Sequence, residues 1–184
     1  MKTYPKIIDS PLSHGLAHLQ VVDETFTYRG ETYAYQHYNY TDAETGMAFT
    51  TDAMDFDNLE RVYCQYRAKH GIPSPKELQS TRVRYGLSAA KMSEVLGLGI
   101  NQYRKYEDGE MPSEAIGKML RSIETPSVFL DYVEGAKNQF SEEEYTKLCA
   151  KVQKSFLDFI KSKPDLSWFK ALFSPRGMMG RVAL

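Results

Sequence analysis

Cysteine is scarce in this chain: Cys64 and Cys149 are the only two in 184 residues, and they stand far apart. Neither a disulfide framework nor a paired-cysteine metal cluster can be built from them. A reducing compartment, the cytoplasm, is the expectation that follows. Long apolar runs are missing too. No stretch nears the roughly 20 residues that cross a bilayer, and the opening segment from Met1 to Leu12 lacks the basic, apolar, then small-residue plan of a secretory signal. Neither a membrane span nor a leader is expected. There is no internal repeat, no low-complexity tract, no glycine-rich phosphate loop, no cluster of metal ligands and no nucleophile spaced with a base. These absences point away from an enzyme, from catalytic residues and from a bound cofactor.

Excess charge of one sign is also absent. Net charge is −1, with 42% hydrophobic and 26% charged residues, an ordinary globular composition. Such a chain is too neutral to coat nucleic acid in bulk. Its charge is unevenly spread, however. Residues 1–73 carry six basic and ten acidic side chains, residues 74–124 eight and seven, and residues 141–184 eight and five. Any phosphate binding must come from a placed patch in the middle or the end.

What is present divides into three stretches. From Leu19 to Thr51 the chain is rich in Val, Thr, Tyr and Phe, with turn punctuation at Arg29-Gly30 and across Asp42–Gly46. This pattern predicts a three-stranded antiparallel meander near 19–28, 31–40 and 47–51. Thr51 or Asp52 can cap a following helix with Asp55 and Asp57 in its first turn, and Leu59, Val62, Tyr63 and Tyr66 make one apolar face. Gly71 and Pro73 end it. Four short helices then follow. Ser74-Pro75-Lys76-Glu77 is a capping box, Gly86 stops the first helix, Ser88 opens the second and Gly97 stops it. Gly99 is expected to cap a third helix that runs to Glu107, and Pro112-Ser113 opens a fourth, to about Ile123. Helices over 127–137 and from Ser141 to about Lys163 complete the pattern, the latter with a stripe of Tyr145, Leu148, Val152, Phe156 and Phe159. That stripe suits the core first and a dimer seam second. The tail 174–184 reads as loosely ordered.

The segment from Leu87 to Gly109 has a mechanical reading. Leu87, Met92, Leu96, Leu98, Tyr103 and Tyr106 fall where two crossed helices share a small core, Ser93 is small where they approach, and Gly97 supplies a left-handed turn. Asn101, Gln102, Arg104 and Lys105 then project outward, with donors and acceptors for base edges and phosphates, and Ser88 opens the helix before them. This resembles the helix-turn-helix of the xenobiotic-response-element and phage-repressor class, closely over residues 82–109. In that class the positions of Arg82 and Glu107 form a structural ion pair, which is the role the resemblance implies for them in place of general-base chemistry at Glu107.

A wider likeness joins Tyr28-Arg29-Gly30-Glu31-Thr32-Tyr33, Gly46, Phe49-Thr50-Thr51, Tyr66-Arg67, Gly71-Ile72-Pro73-Ser74-Pro75 and the run Leu96-Gly97-Leu98-Gly99 with its Tyr106-Glu107-Asp108-Gly109 ending. In this order they resemble the MqsA-type antitoxins, which join an N-terminal zinc ribbon to a helix-turn-helix and repress their own toxin–antitoxin operon as dimers. The resemblance implies base contacts from Asn101 and Lys105. It departs at the metal, because no cysteine precedes Cys64. His14, His18 and His37 are the available replacement ligands, and the alternative, that the domain folds without zinc, is the expectation. Cys64 and Cys149 are then expected in the core. Tyr33, Tyr35, Tyr38 and Tyr40 suit strand packing or a protein-binding surface better than base stacking.

The expected organisation is an α+β N-terminal domain over 1–73 (a degenerate, metal-free zinc-ribbon-like meander plus helix), an all-α helix-turn-helix domain over 74–124 and a helical C-terminal extension over 125–184. The expected function is that of a homodimeric autorepressor on an inverted-repeat operator in double-stranded DNA, with a protein toxin as possible partner of the N-terminal domain. A ligand-sensing transcription factor and an interaction scaffold are the alternatives.

Overall fold

The computed structural model describes residues 3–162. The chain forms two compact units, one ending at His70 and one beginning at Gly71. The first holds an antiparallel sheet and one helix, and the second is helical throughout, an α+β architecture.

Four strands, β1 (Ile7–Asp9), β2 (Leu16–Tyr28), β3 (Glu31–Asp42) and β4 (Ala48–Phe49), lie side by side in chain order. The expectation of three strands missed β1, whose three residues are too few to show an alternating pattern. It also started β2 late and gave β4 too much length. Arg29 and Gly30, both with positive φ, make the two-residue β2–β3 turn and set Tyr28 opposite Glu31. Such mirror-image turns match the right-handed twist of a hairpin.

Helix α1 (Asp52–His70) starts where the Thr51 hydroxyl accepts the Met54 N–H. It runs along the outer edge of β3. Asn58 accepts the Tyr38 N–H at 3.0 Å and donates to the Tyr38 carbonyl at 2.9 Å, while Gln65 donates to the Ala34 carbonyl at 2.9 Å. Two side chains thus occupy backbone groups that an edge strand otherwise leaves open. Met54, Val62 and Tyr66 are buried, as are Tyr33 and Tyr40 of β3, whereas Tyr35 and Tyr38 are half-buried. Tyr33 and Tyr40 therefore serve packing. Cys64 corrects an expectation: it is exposed, its thiol donating to Glu60, because it lies two positions off the Val62–Tyr66 stripe.

Among the described residues the opposite edge is left open. β2 pairs with β1 only through Leu16 to His18, and the Leu19 N–H reaches Lys6. Beyond that point β2 has β3 alone for a neighbour among the described strands, and residues 20–27 are exposed on both faces, Val21, Val22 and Phe26 included.

The second unit comprises α2 (Pro75–Tyr85), α3 (Ala89–Val95), α4 (Gln102–Glu107), α5 (Glu114–Ser122), α6 (Pro126–Gly135), a 3-10 turn at Lys137–Gln139 and α7 (Glu142–Ser162). The capping box at Ser74 and Glu77 closes with both of its hydrogen bonds, and Gly86 takes the left-handed conformation that ends α2. A single hydrophobic core runs from Leu78 and Tyr85 through Leu120 and Phe129 to Leu148 and Val152. Tyr85 and Phe129 stack at 3.9 Å within it. Helices α6 and α7 therefore share the core of α2 to α5: of the α7 stripe, Leu148 and Val152 are buried in it and Tyr145 packs against it, while Phe156 and Phe159 are half-buried. The expected stop at Pro164 and the expected loose tail fall outside the described residues.

Candidate nucleic-acid interface

Ser93 joins α3 to α4. Its hydroxyl donates to the Ala89 carbonyl at 3.1 Å and accepts the Tyr103 N–H at 3.0 Å, while its own carbonyl accepts the Leu98 N–H at 2.8 Å. A larger side chain would push the two helices apart at this buried point. Gly97, at φ 64°, turns the chain out of α3. The Gln102 N–H then donates to the Gly99 carbonyl at 3.0 Å, closing a tight turn over residues 99–102.

The expected cap at Gly99 is corrected here. Asn101 is the residue that precedes α4, its carbonyl accepting the Lys105 N–H, so it stands at the cap rather than within the first turn. The tight turn consumes Gly99 and Ile100 before the helical ladder begins. Asn101 has a left-handed backbone, φ 59°, which asparagine tolerates better than most residues. Its side chain makes no capping hydrogen bond, although asparagine is a preferred capping residue.

The six residues of α4 divide by face. Tyr103 and Tyr106 are buried, and the Tyr103 hydroxyl donates to the Leu78 carbonyl at 2.9 Å. Asn101, Arg104 and Lys105 are exposed, and no hydrogen bond or ion pair involves their side chains among the described residues. Gln102 is half-buried and donates to Glu110 at 2.7 Å, so it is partly spent within the fold. Ser88 caps α3 by accepting the Lys91 N–H, which leaves its own O–H free to donate. Arg82 Nε donates to Glu107 at 2.6 Å and Nη1 to the Leu87 carbonyl at 3.1 Å. One guanidinium thereby ties α2, the turn before α3 and the end of α4 together, and the Glu107 hydrogen bond holds its pKa above the ordinary arginine value. Ile100, which no spacing in the sequence singles out, is 90% exposed at the apex of the turn.

His14 lies in the loop before β2, His18 faces Thr41 across the β2–β3 ladder, and His37 faces Val22 with its Nδ1 at 3.0 Å from the Tyr35 hydroxyl. Among the described residues no three His, Cys, Asp or Glu side chains gather as metal ligands, and no helix is long and apolar enough to cross a membrane. Comparison with known protein families and with curated proteins finds no match for this chain.

Proposed function

We propose that this chain is a sequence-specific DNA-binding transcriptional regulator that uses α3 and α4 as a helix-turn-helix, with α4 entering the major groove. The division of α4 carries the reading: its tyrosines are spent in the core, while Asn101, Arg104 and Lys105 face out with unused hydrogen-bonding capacity. Asparagine can bond both edge groups of an adenine, and lysine can reach the acceptors of a guanine. Lys105 follows one turn on, its N–H bonded to the Asn101 carbonyl. Arg104 and the Ser88 hydroxyl suit phosphates. By the resemblance noted above, the protein acts as a cytoplasmic homodimer that represses its own toxin–antitoxin operon, on half-sites about one helical turn apart or a multiple of it.

Titration of the full chain against its own promoter tests this. Asn101→Gly is the informative variant, since glycine keeps the left-handed backbone and removes only the amide. It should weaken binding and relax preference at one base pair per half-site, by about 1–3 kcal/mol. Arg104→Ala should weaken all sequences alike and lower the salt dependence by about one counterion per subunit. Unchanged binding by both folded variants would sink the proposal.

The open edge of β2 favours a second reading, an interaction protein. The Leu19 N–H points away from β3, so by alternation the backbone groups of Val21, Asp23, Thr25 and Thr27 do too. Together with Asp23 and Glu24, this edge suits strand addition by a basic partner, such as a nucleic-acid-directed toxin. Thr25→Pro blocks an outward N–H on an edge where proline is tolerated, so it should abolish partner capture and spare promoter binding. Retained capture by that variant rules the edge out.

A further inference from the structure

Ile100 is the most exposed large apolar side chain among the described residues, at 90%, well beyond any other. Single apolar residues on a surface are ordinary, and exposure alone would carry nothing. Its setting is what distinguishes it. Ile100 sits between Gly99 and the left-handed Asn101, at the apex of a turn whose two flanks are both tied to Ser93, through the Leu98 and Tyr103 N–H groups. The apex is held by a buried residue at its base while its side chain touches almost nothing. A β-branched side chain is also stiff at χ1, so fixing it in an interface costs little entropy.

On the reading of α4 as the groove-entering helix, Asn101 leads it into the groove, and Ile100, next to Asn101 at the apex of the turn, arrives at the base edges beside it. The one apolar group that the major groove offers is the 5-methyl of thymine. We infer that Ile100 is a specificity-determining residue that packs on a thymine methyl next to the base pair contacted by Asn101. The inference rests on the proposed DNA-binding function and adds a base identity to it. Asn101 selects by hydrogen bonding, and Ile100 selects by burying a methyl group that cytosine lacks.

The test uses the full chain and a duplex recovered by binding selection from a random pool. Each thymine of that duplex is replaced in turn by deoxyuracil, which deletes the methyl and keeps the pairing. Wild type should lose about fourfold in affinity at one thymine per half-site, adjacent to the base pair where Asn101→Gly relaxes preference, as burial of one methyl-sized group implies. Ile100→Ala should bind the thymine and deoxyuracil duplexes alike. Its melting temperature should match wild type, since the side chain packs on nothing. A wild type indifferent to every deoxyuracil, a selected site without a thymine there, or an Ile100→Ala that keeps the preference overturns the inference. If Arg104→Ala still weakens binding in those cases, the DNA-binding reading survives and only the role of Ile100 falls. Selection that enriches no sequence removes both.

Discussion

Glu107 accepts the Arg82 Nε–H at 2.6 Å, with 19% of the arginine and 11% of the glutamate side chain exposed. Taking one partner away leaves the other poorly solvated, so Glu107→Gln should cost about 3 kcal/mol in chemical denaturation. Glu143→Gln, at an exposed pair with Lys147, should cost within about 1 kcal/mol. Equal losses would mean that Arg82 finds water or another acceptor. Glu31 supplies a pH dependence. Hydrogen bonds from the Tyr33 hydroxyl, then His70 and Lys69, lower its pKa from 4.5 to about 2. Because the folded state lowers this pKa, the stabilisation is complete above 4.5 and fades as pH falls toward about 2. Acid titration should therefore destabilise wild type more steeply than Glu31→Gln across that window, and parallel curves would show that the carboxylate contributes nothing there. Asn101 separates backbone from side chain: Asn101→Ala should be less stable than Asn101→Gly by about 1 kcal/mol, the cost of a Cβ in the left-handed region.

Local signals carried well from sequence to element. The capping boxes at Ser74 and Ser141, the left-handed glycines 86 and 97 and the Arg29-Gly30 turn are each settled by three or four adjacent residues, and such residues are visible in a sequence. Contacts between distant residues were not visible in the residues themselves; the Arg82–Glu107 pair, twenty-five positions apart, came only through the resemblance. Nothing near Asn58 or Gln65 says that they plug the edge of β3, twenty and thirty-one positions away in the chain. The start of α4 was hidden for a related reason: the Ser93 carbonyl and hydroxyl hold both ends of the turn, and that arrangement exists only once α3 and α4 have packed. Of the candidate interface, the outward positions were legible by helical spacing, whereas the left-handed Asn101 and the protruding Ile100 follow from the turn. The edge plug has its own consequence. Asn58 is buried and satisfies both backbone groups of Tyr38, so Asn58→Ala should destabilise the first unit by about 2–3 kcal/mol. Gln65→Ala, at an exposed bond, should cost less, and the order of the two melting temperatures checks the account.

At the scale of the whole molecule, the second unit cannot be divided after α5. Phe129 of α6 stacks on Tyr85 of α2, and Leu148 and Val152 of α7 belong to the same buried cluster as Tyr103 and Leu120. A fragment ending at Glu124 would expose that cluster and should fail to fold cooperatively, so the last helices hold the α3–α4 face in place through the core. A point substitution makes this measurable in the full chain. Leu148 is 4% exposed, and truncating a buried leucine to alanine costs roughly 2–5 kcal/mol. If the core is continuous, Leu148→Ala should lower the hydrogen-exchange protection of the Tyr103 and Leu120 amides together, because both then open with the same cooperative unit. Well below the melting transition it should leave duplex affinity unchanged, since every outward residue of α4 is intact. Lys147→Gln, one position earlier on the exposed side of α7, should alter neither readout. Loss of protection confined to α7 in Leu148→Ala, with Tyr103 still protected, would instead make the C-terminal helices a separate layer on an α2–α5 bundle that stands alone.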